Sequence, residues 1–192
     1  MMRLTQAFAL ANQNPLQHAY KRIVTAAAKF WVAKRSIELS AEAMEVFGGN
    51  GYMDESPMGR LYREAPVISI WEGSGNVMAL DMLRAISRDP EAMAALIEDL
   101  RPVCADDARL RPHLEASAAI LGADGAALEA VARREAQRLI LLMQARLLRE
   151  DSPDFVADAF IASRFDAQWG RVFGTLPEHD AQARLLERAW PV

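Results

Sequence analysis

Residues 16–47 have the sequence LQHAYKRIVTAAAKFWVAKRSIELSAEAMEVF, which contains neither proline nor glycine. Asn14 is the predicted cap of this segment, and Pro15 falls in its first turn. The helix would have roughly 33 residues and a length of about 50 Å, at about 1.5 Å per residue. A helix this long needs partners of similar length, so the sequence predicts a bundle. The apolar residues that recur at three- and four-residue steps and predict its buried stripe are Tyr20, Ile23, Val24, Ala27, Phe30, Trp31, Ile37, Ala41, Met44 and Phe47.

The rest of the chain extends this pattern. Gly48 suits the position just past a helix end. Residues 49–70 contain five glycines and prolines and are predicted to form a loop, with irregular chain or a short helix at 67–71. A further helix is predicted to begin near Ser74. The expected fold class is all-α, an antiparallel helical bundle with additional C-terminal helices.

A composition shift near residue 88 predicts two domains. Residues 1–87 contain nine Lys and Arg against eight Asp and Glu, whereas residues 88–192 contain thirteen Arg, no Lys and eighteen acids. The sequence Asp89-Pro90-Glu91 is typical of a helix start at the boundary. We therefore expect a helical bundle at 1–87 and a helical extension at 88–192.

Bulk properties exclude several classes of protein. The net charge of −4 gives no general attraction for nucleic acid or an anionic membrane. Cys104 is the single cysteine, so no disulfide within the chain and no cysteine-rich zinc site are possible, and the scattered histidines predict no metal site. No apolar run of about 18 residues and no signal peptide are present. These features predict a reduced, cytoplasmic protein.

Glu72 is a candidate general base. It precedes the predicted helix start at Ser74, where unpaired backbone N–H groups lie. A carboxylate beside apolar neighbours such as Ile70 and Trp71 suits proton abstraction. The alternative is that Ser69 and Glu72 form a capping box, which would be purely structural.

Three glycines near the end of the long helix form a second candidate motif. Gly48, Gly49 and Gly51 could allow backbone to approach the pyrophosphate of a ligand. They could equally just end the helix and turn the chain. They do not have the spacing of the dinucleotide-binding fingerprint, and no strand precedes them.

Three stretches of this region together resemble the C-terminal helical domain of acyl-CoA dehydrogenases. They are AMEVFGGNGY at 43–52, RLYREAPV at 60–67 and IWEGSGN at 70–76. The last two are most similar to the AidB-like alkylation-response flavoproteins. The resemblance covers roughly residues 1–87, and it implies an oxidoreductase that uses FAD and an acyl-CoA substrate.

The resemblance also implies roles for individual residues. In the family a glutamate removes the α-proton of the thioester while the β-hydride passes to N5 of the flavin, and Glu72 matches that glutamate. Ser74, Gly75 and Asn76 match a stretch that touches FAD. The stretch that reaches the FAD of a neighbouring subunit is matched by Glu45, Val46, Phe47, Gly48 and Gly49. A homo-oligomer is implied as well.

The family also has a helical N-terminal domain and a β-domain, and this sequence contains neither. We therefore expect a partial enzyme that is inactive alone and does not retain FAD. Many members have glutamine at the position of Glu45. This chain therefore differs from them in having a carboxylate near the expected position of the flavin pyrophosphate.

Two alternative functions follow from the same resemblance. AidB-like flavoproteins bind DNA through a basic C-terminal region, so the chain could be a DNA-binding module. Residues 88–192 have a net charge of −5, from thirteen Arg and eighteen acids, which disfavours this function. A salt-bridged, solvated face is the favoured interpretation of the arginines that would have to bind DNA, namely Arg133, Arg134, Arg138, Arg146 and Arg149. The other alternative is a helical oligomerisation scaffold.

Overall fold

A computed structural model describes residues 1–122, 125–166, 172–176 and 179–190. Within these ranges the chain forms helices and turns and no strand, so the predicted all-α fold class is confirmed. The chain divides into two compact units. Unit 1 contains Met1–Asp99 and Ser117–Ile140, and unit 2 contains Leu100–Ala116 and Leu141–Val192. The domain boundary predicted near residue 88 stays a prediction.

The helices of the first half of the chain are α1 (Met2–Leu10), α2 (Pro15–Ala19), a π-helical turn (Tyr20–Val24), α3 (Thr25–Val46), α4 (Gly49–Tyr52), α5 (Pro57–Ile68), α6 (Gly75–Arg88) and α7 (Pro90–Cys104). The helices that follow are α8 (Arg111–Ala118), a 3-10 helix (Ala119–Gly122), α9 (Gly125–Asp151), α10 (Asp154–Phe165) and α11 (His179–Ala189). None of the described helices is both long and apolar enough to cross a bilayer.

The long helix predicted from Pro15 onward is confirmed, with one local change. Asn14 caps it, because its Oδ1 accepts a hydrogen bond of 2.9 Å from the backbone N–H of Gln17. The helix runs through α2, the π-helical turn and α3 without a break. The wider π turn places Tyr20, Ile23 and Val24 together in the core.

The loop predicted for residues 49–70 is wrong, because most of this segment is helical. The hydroxyl of Ser56 accepts a hydrogen bond from the N–H of Met58, and Pro57 occupies the first turn of α5, where its missing N–H costs nothing. Pro66 lies near the end of α5, where the helix stops two residues later. The prolines therefore mark the two ends of a helix rather than a loop.

Unit 1 is built around the long helix. Both α5 and α6 pack against α3, and α6 also contacts the π-helical turn. At the edge of this core Arg22 donates two hydrogen bonds to Asp81, at 2.7 and 2.9 Å. The largest buried side chains of the unit include Tyr20, Ile23, Phe30, Met82, Ile86, Met93, Leu96 and Leu139.

Unit 2 has its own core and an ion-pair network. Residues 141–143 are buried in this unit. Cys104 is fully buried, and burial raises the pKa of its thiol to about 12, with the Asp107 carboxylate adding to the shift. Such a thiol stays protonated and unreactive. Asp107 also holds Arg109 through hydrogen bonds of 2.6 to 3.0 Å.

Candidate functional site

Glu72 lies in a tight turn between α5 and α6. Its backbone φ is +53°, and it is the single non-glycine residue with a positive φ in the described part of the chain. Gly73 follows with a φ of +108°. Such a conformation costs an ordinary residue about 1 to 3 kcal/mol, so the surrounding structure must hold it in place. The side chain of Glu72 is exposed.

The capping-box alternative for Ser69 and Glu72 is wrong. Ser69 is the residue that ends α5, and its N–H donates to carbonyls of that helix. The next helix begins at Gly75, and Ser74 is its capping position, so the predicted start near Ser74 is confirmed. Glu72 therefore has no part in a reciprocal cap.

Lys29 is the residue that holds the turn. Its ammonium group lies on α3 and donates three hydrogen bonds, to the carbonyl oxygens of Ile68 (2.8 Å), Trp71 (2.9 Å) and Gly73 (3.0 Å). Two of these carbonyls belong to the residues on either side of Glu72. A charged donor makes stronger hydrogen bonds than a neutral one, so Lys29 fixes the backbone from which the Glu72 carboxylate projects.

Sequence reasoning missed this role of Lys29. A single lysine on a long helix is ordinarily a solvent-facing charge, and nothing in the spacing indicates that three carbonyl groups converge on it. The only available signal was its position one residue before the buried Phe30, which places it at the border of the apolar stripe.

The start of α6 is open to an anionic group. Ser74 is exposed and its hydroxyl makes no capping hydrogen bond, so the capping residue satisfies none of the first N–H groups of a 14-residue helix. These N–H groups and the helix dipole favour negative charge. Gly75 is buried against α3, since an added Cβ would lie 3.0 Å from Lys34 Cε and 3.5 Å from the Phe30 ring. Asn76 is exposed, and its Oδ1 accepts a hydrogen bond of 2.9 Å from Arg133.

The second candidate stretch, residues 45–49, lies at the end of α3. All five of its residues are exposed. Together with Asn50 and Gly51, Gly48 and Gly49 form what we call the glycine corner, residues 48–51. The corner adjoins a cavity of about 420 Å³ whose lining includes Tyr52, Met53 and Arg63.

The fold requires glycine at two of the three glycine positions of the corner. Gly48 has a φ of +56°, as its predicted position past the helix end requires. A Cβ on Gly51 would lie 2.3 Å from the carbonyl oxygen of Met44, so only glycine fits there. Gly49 meets neither condition: a Cβ on it would enter open space, and its φ is not positive. The fold of this chain therefore does not explain Gly49.

The two candidate stretches do not converge within one chain. Gly75 packs beside Lys34, and α3 continues from Lys34 for 12 residues to Val46 before reaching the glycine corner at Gly48. At about 1.5 Å per helical residue, this separation is about 20 Å. Glu72 thus lies beside Lys29 of the long helix, whereas the stretch at 45–49 lies at its C-terminal end. The roles of both as site residues stay predictions.

The arginines proposed as a DNA-binding stripe mostly contact the protein itself. Arg138 pairs with the buried Glu135, Arg146 with Glu150 at 3.1 Å, and Arg149 with Asp158. Arg133 donates to Asn76, as described above. Within the described residues Arg134 has no such partner. DNA binding by this set stays a prediction.

Residues 1–87 match the family described as acyl-CoA dehydrogenase, C-terminal domain. The resemblance seen in the sequence, to a family whose members are FAD flavoproteins, is therefore confirmed for this part of the chain. No group of three or more potential metal ligands occurs among the described residues.

Individual relatives agree with this assignment. The chain is similar to the putative acyl-CoA dehydrogenase AidB of Escherichia coli (strain K12), with 58% identity over 69 residues, which are 36% of this chain and 13% of that protein. It is 41% identical over 66 residues to acyl-CoA dehydrogenase family member 11 of Caenorhabditis elegans, covering 34% of this chain and 11% of the relative. The solved structure of Bd2924 in its apo form matches 77% of this chain and 31% of that chain, with 32% identity and a TM-score of 0.58. Each match covers less than a third of the longer protein.

Proposed function

We propose that this chain supplies the catalytic base and part of the flavin site of an FAD-dependent acyl-CoA dehydrogenase. Glu72 is the proposed base, and it removes the α-proton of an acyl-CoA thioester. The observation that supports this role most strongly is the Lys29 contact. Within a segment that matches the family, a strained turn carrying one carboxylate is held by three hydrogen bonds from a neighbouring helix.

The proposed reaction assigns one proton to the protein. The Glu72 carboxylate takes the α-proton, and the electron pair of that C–H bond becomes the second bond between the α and β carbons. FAD, when bound, accepts the β-hydride and is reduced. Because Lys29 holds the carbonyl groups on both sides of Glu72, the carboxylate projects from a fixed backbone position, which favours an oriented attack on the thioester.

The residues of the chain fit a dinucleotide cofactor. The start of α6 offers N–H groups without a side-chain cap, next to the predicted FAD-contacting residues Ser74, Gly75 and Asn76. Gly49 offers bare backbone that the fold itself does not require. Three carboxylates oppose a pyrophosphate at this corner: Glu45 is exposed beside it, and Asp54 and Glu55 line the adjoining cavity.

The complete site would be shared between two copies of the chain. The separation of about 20 Å along α3 prevents one copy from offering both Glu72 and Gly49 to the same reacting centre. We therefore propose a homo-oligomer in which the corner of one subunit contacts the flavin that serves Glu72 of another. Gly48, Gly49 and Asn50 of the glycine corner are exposed, as such a contact requires.

The proposed base can be tested by substitution in the enzyme assembled with its flavin. Glu72→Gln keeps the shape of the side chain and removes its basicity. We expect the rate of flavin reduction by acyl-CoA, followed as loss of flavin absorbance, to fall by about 10² to 10⁴-fold, the usual contribution of a general base. The flavin content should not change.

Glu64→Gln is the matched control, because Glu64 is also an exposed acid of unit 1 and makes only a surface ion pair with Arg60. Its flavin-reduction rate should equal that of the unsubstituted protein. Equal rates in Glu72→Gln and Glu64→Gln, at equal flavin content, would show that Glu72 is not the base.

A further inference from the structure

Arg133 of α9 reaches the start of α6. Its guanidinium donates a hydrogen bond of 2.9 Å to Oδ1 of Asn76, a residue 57 positions earlier in the chain. Asn76 belongs to the segment that matches the family, residues 1–87, whereas Arg133 lies outside it. The contact therefore brings a residue from beyond the matched segment to a side chain of the candidate flavin site.

The chemistry of this contact decides which way the Asn76 amide faces. A guanidinium has only donors, so it must meet the oxygen of the amide and not the NH2 group. Because the amide is planar, holding Oδ1 toward Arg133 turns Nδ2 to the other side. Asn76 is exposed, and its Nδ2 makes no hydrogen bond within the described part of the chain. The side chain thus presents a free donor at the start of α6.

The start of α6 by itself favours the opposite orientation of this amide. The backbone N–H groups of residues 75–77 have no partner within the helix, because its first backbone hydrogen bond runs from Met78 to Ser74. The oxygen of an asparagine in this turn is attracted to such N–H groups and to the positive end of the helix dipole. Pairing with Arg133 holds the oxygen of Asn76 away from these groups and leaves them open.

Arg133 is itself positioned by the core of unit 1. Its guanidinium lies 5.4 Å from the centre of the Phe30 ring, and Phe30 is buried on α3. A cation above an aromatic face is attracted to it, which restricts where the guanidinium lies. A residue of α9 thus rests on α3 and fixes a side chain of α6.

We infer that Arg133 is a positioning residue of the flavin site, which holds the Asn76 amide so that its NH2 group and the open N–H groups of α6 face the cofactor together. The inference rests on the proposed function, in which Asn76 contacts FAD. The flavin carbonyls and the pyrophosphate oxygens of FAD are hydrogen-bond acceptors. An amide turned the other way would present its own oxygen to them and repel them.

Side-chain ¹⁵N relaxation of the purified chain tests the positioning without flavin. We expect the Asn76 NH2 group to be nearly as rigid as backbone, with an order parameter of about 0.85, and to fall below about 0.6 in Arg133→Ala. Arg133→Lys keeps a side chain that can only donate, so it should retain most of the rigidity. Arg134→Ala is the matched control, because Arg134 is the neighbouring exposed arginine of α9, and it should leave the Asn76 amide unchanged.

The affinity for FAD of the assembled enzyme, followed as quenching of flavin fluorescence, tests the consequence. Arg133→Ala and Asn76→Ala should each weaken FAD binding about tenfold, the effect of losing one hydrogen bond. The double variant should bind FAD as well as Asn76→Ala alone, because Arg133 acts through that side chain. Arg133→Lys should restore most of the affinity. Arg134→Ala should stay within about twofold of the unsubstituted enzyme, since a single exposed charge is largely screened.

Three results would overturn the inference. They are an equally rigid Asn76 amide in Arg133→Ala, additive losses of FAD affinity in the double variant, or equal losses in Arg133→Ala and Arg134→Ala. If one of these occurred while Glu72→Gln still slowed flavin reduction, the inference alone would fail. If the unsubstituted enzyme bound no FAD, the proposed function would fail together with it.

Discussion

The ammonium nitrogen of Lys29 lies 2.9 Å from the carbonyl oxygen of Trp71, the residue that directly precedes Glu72. Two further carbonyl groups, of Ile68 and Gly73, accept hydrogen bonds from the same nitrogen. A residue of α3 thus ties together the end of α5 and the turn that leads into α6. This contact links the stability of the turn to the long helix and leads to the first prediction.

Lys29→Met should destabilise unit 1 by about 2 kcal/mol, because three carbonyl groups lose a charged donor while the apolar stem of the side chain is kept. Urea unfolding followed by circular dichroism measures this loss. The amide of Gly73 should also exchange faster with solvent. Lys21→Met is the control, since Lys21 is exposed and only lies over the Phe8 ring at 5.5 Å. Equal stability of the two variants would contradict the structural role of Lys29.

The glycine corner allows a paired test of two neighbouring glycines. Gly51→Ala should cost about 1 to 3 kcal/mol, because its Cβ would collide with the backbone carbonyl of Met44. Gly49→Ala should leave stability unchanged or raise it by up to about 1 kcal/mol, since a Cβ there enters open space within α4. Thermal unfolding distinguishes the two. If both variants lost stability equally, the fold would require Gly49 after all, and its proposed availability to a ligand would lose its support.

The buried carboxyl group of Glu135 should make the stability of the fold decrease as the pH rises. It is fully buried, burial raises the pKa of its carboxyl above the ordinary 4.5, and neighbouring Ser117 and Arg138 only partly oppose this. Neither Glu135 Oε1 nor Ser117 Oγ has a hydrogen-bond partner of good geometry within the described residues. The folded state therefore favours the protonated acid. Its contribution to stability is complete below pH 4.5 and is lost as the pH rises through the raised pKa.

Glu135→Gln should remove this loss. Urea unfolding between about pH 4 and pH 8 should show the unsubstituted chain losing stability relative to Glu135→Gln as the pH increases, because only the former must bury a charge. Glu129→Gln, an exposed position on the same helix, should follow the unsubstituted chain. Parallel curves for the unsubstituted chain and Glu135→Gln would show that burial of this carboxyl has no effect on folding.

For Asp81 we expect the opposite pH dependence of stability. Its hydrogen bonds with Arg22 lower the pKa of the carboxyl below the ordinary 3.8. The stabilisation is therefore complete above pH 3.8 and is lost as the pH falls through the lowered pKa. Asp81→Asn should cost about 1 kcal/mol at neutral pH, since both partners are about a third exposed and solvent weakens the pair. In acid the variant and the unsubstituted chain should have equal stability. Asp54→Asn is the control, because Asp54 is exposed, and its stability should equal that of the unsubstituted chain at both pH values.

Much of the fold follows from local signals in the sequence. The cap at Asn14, the positive φ of Gly48 and the helix start at Ser74 were predictable because each depends on a residue and its immediate neighbours. The helix Pro57–Ile68 is not predictable in this way, because two prolines and a glycine within 10 residues are more typical of a loop. Pro57 in fact occupies the first turn, where proline is favoured.

The candidate site was less accessible to sequence reasoning. Glu72 and its glycine neighbours could be found from the motif. Lys29 could not, because its carbonyl partners, Ile68, Trp71 and Gly73, lie about 40 residues further along the chain. Nor could sequence distinguish Gly49 from Gly51. The two residues are chemically identical, and only their surroundings show that one is required by packing and the other is not.

The length of α3 between Lys34 and Val46 has a genetic consequence for the proposed enzyme. A lesion at Glu72 and a lesion at Gly49 would damage different reacting centres of one oligomer. Subunits that carry one lesion each would then assemble into mixed particles with one intact centre and one doubly impaired centre. Two inactive alleles would complement each other in the same cell, which two alleles of a site confined to one subunit cannot do.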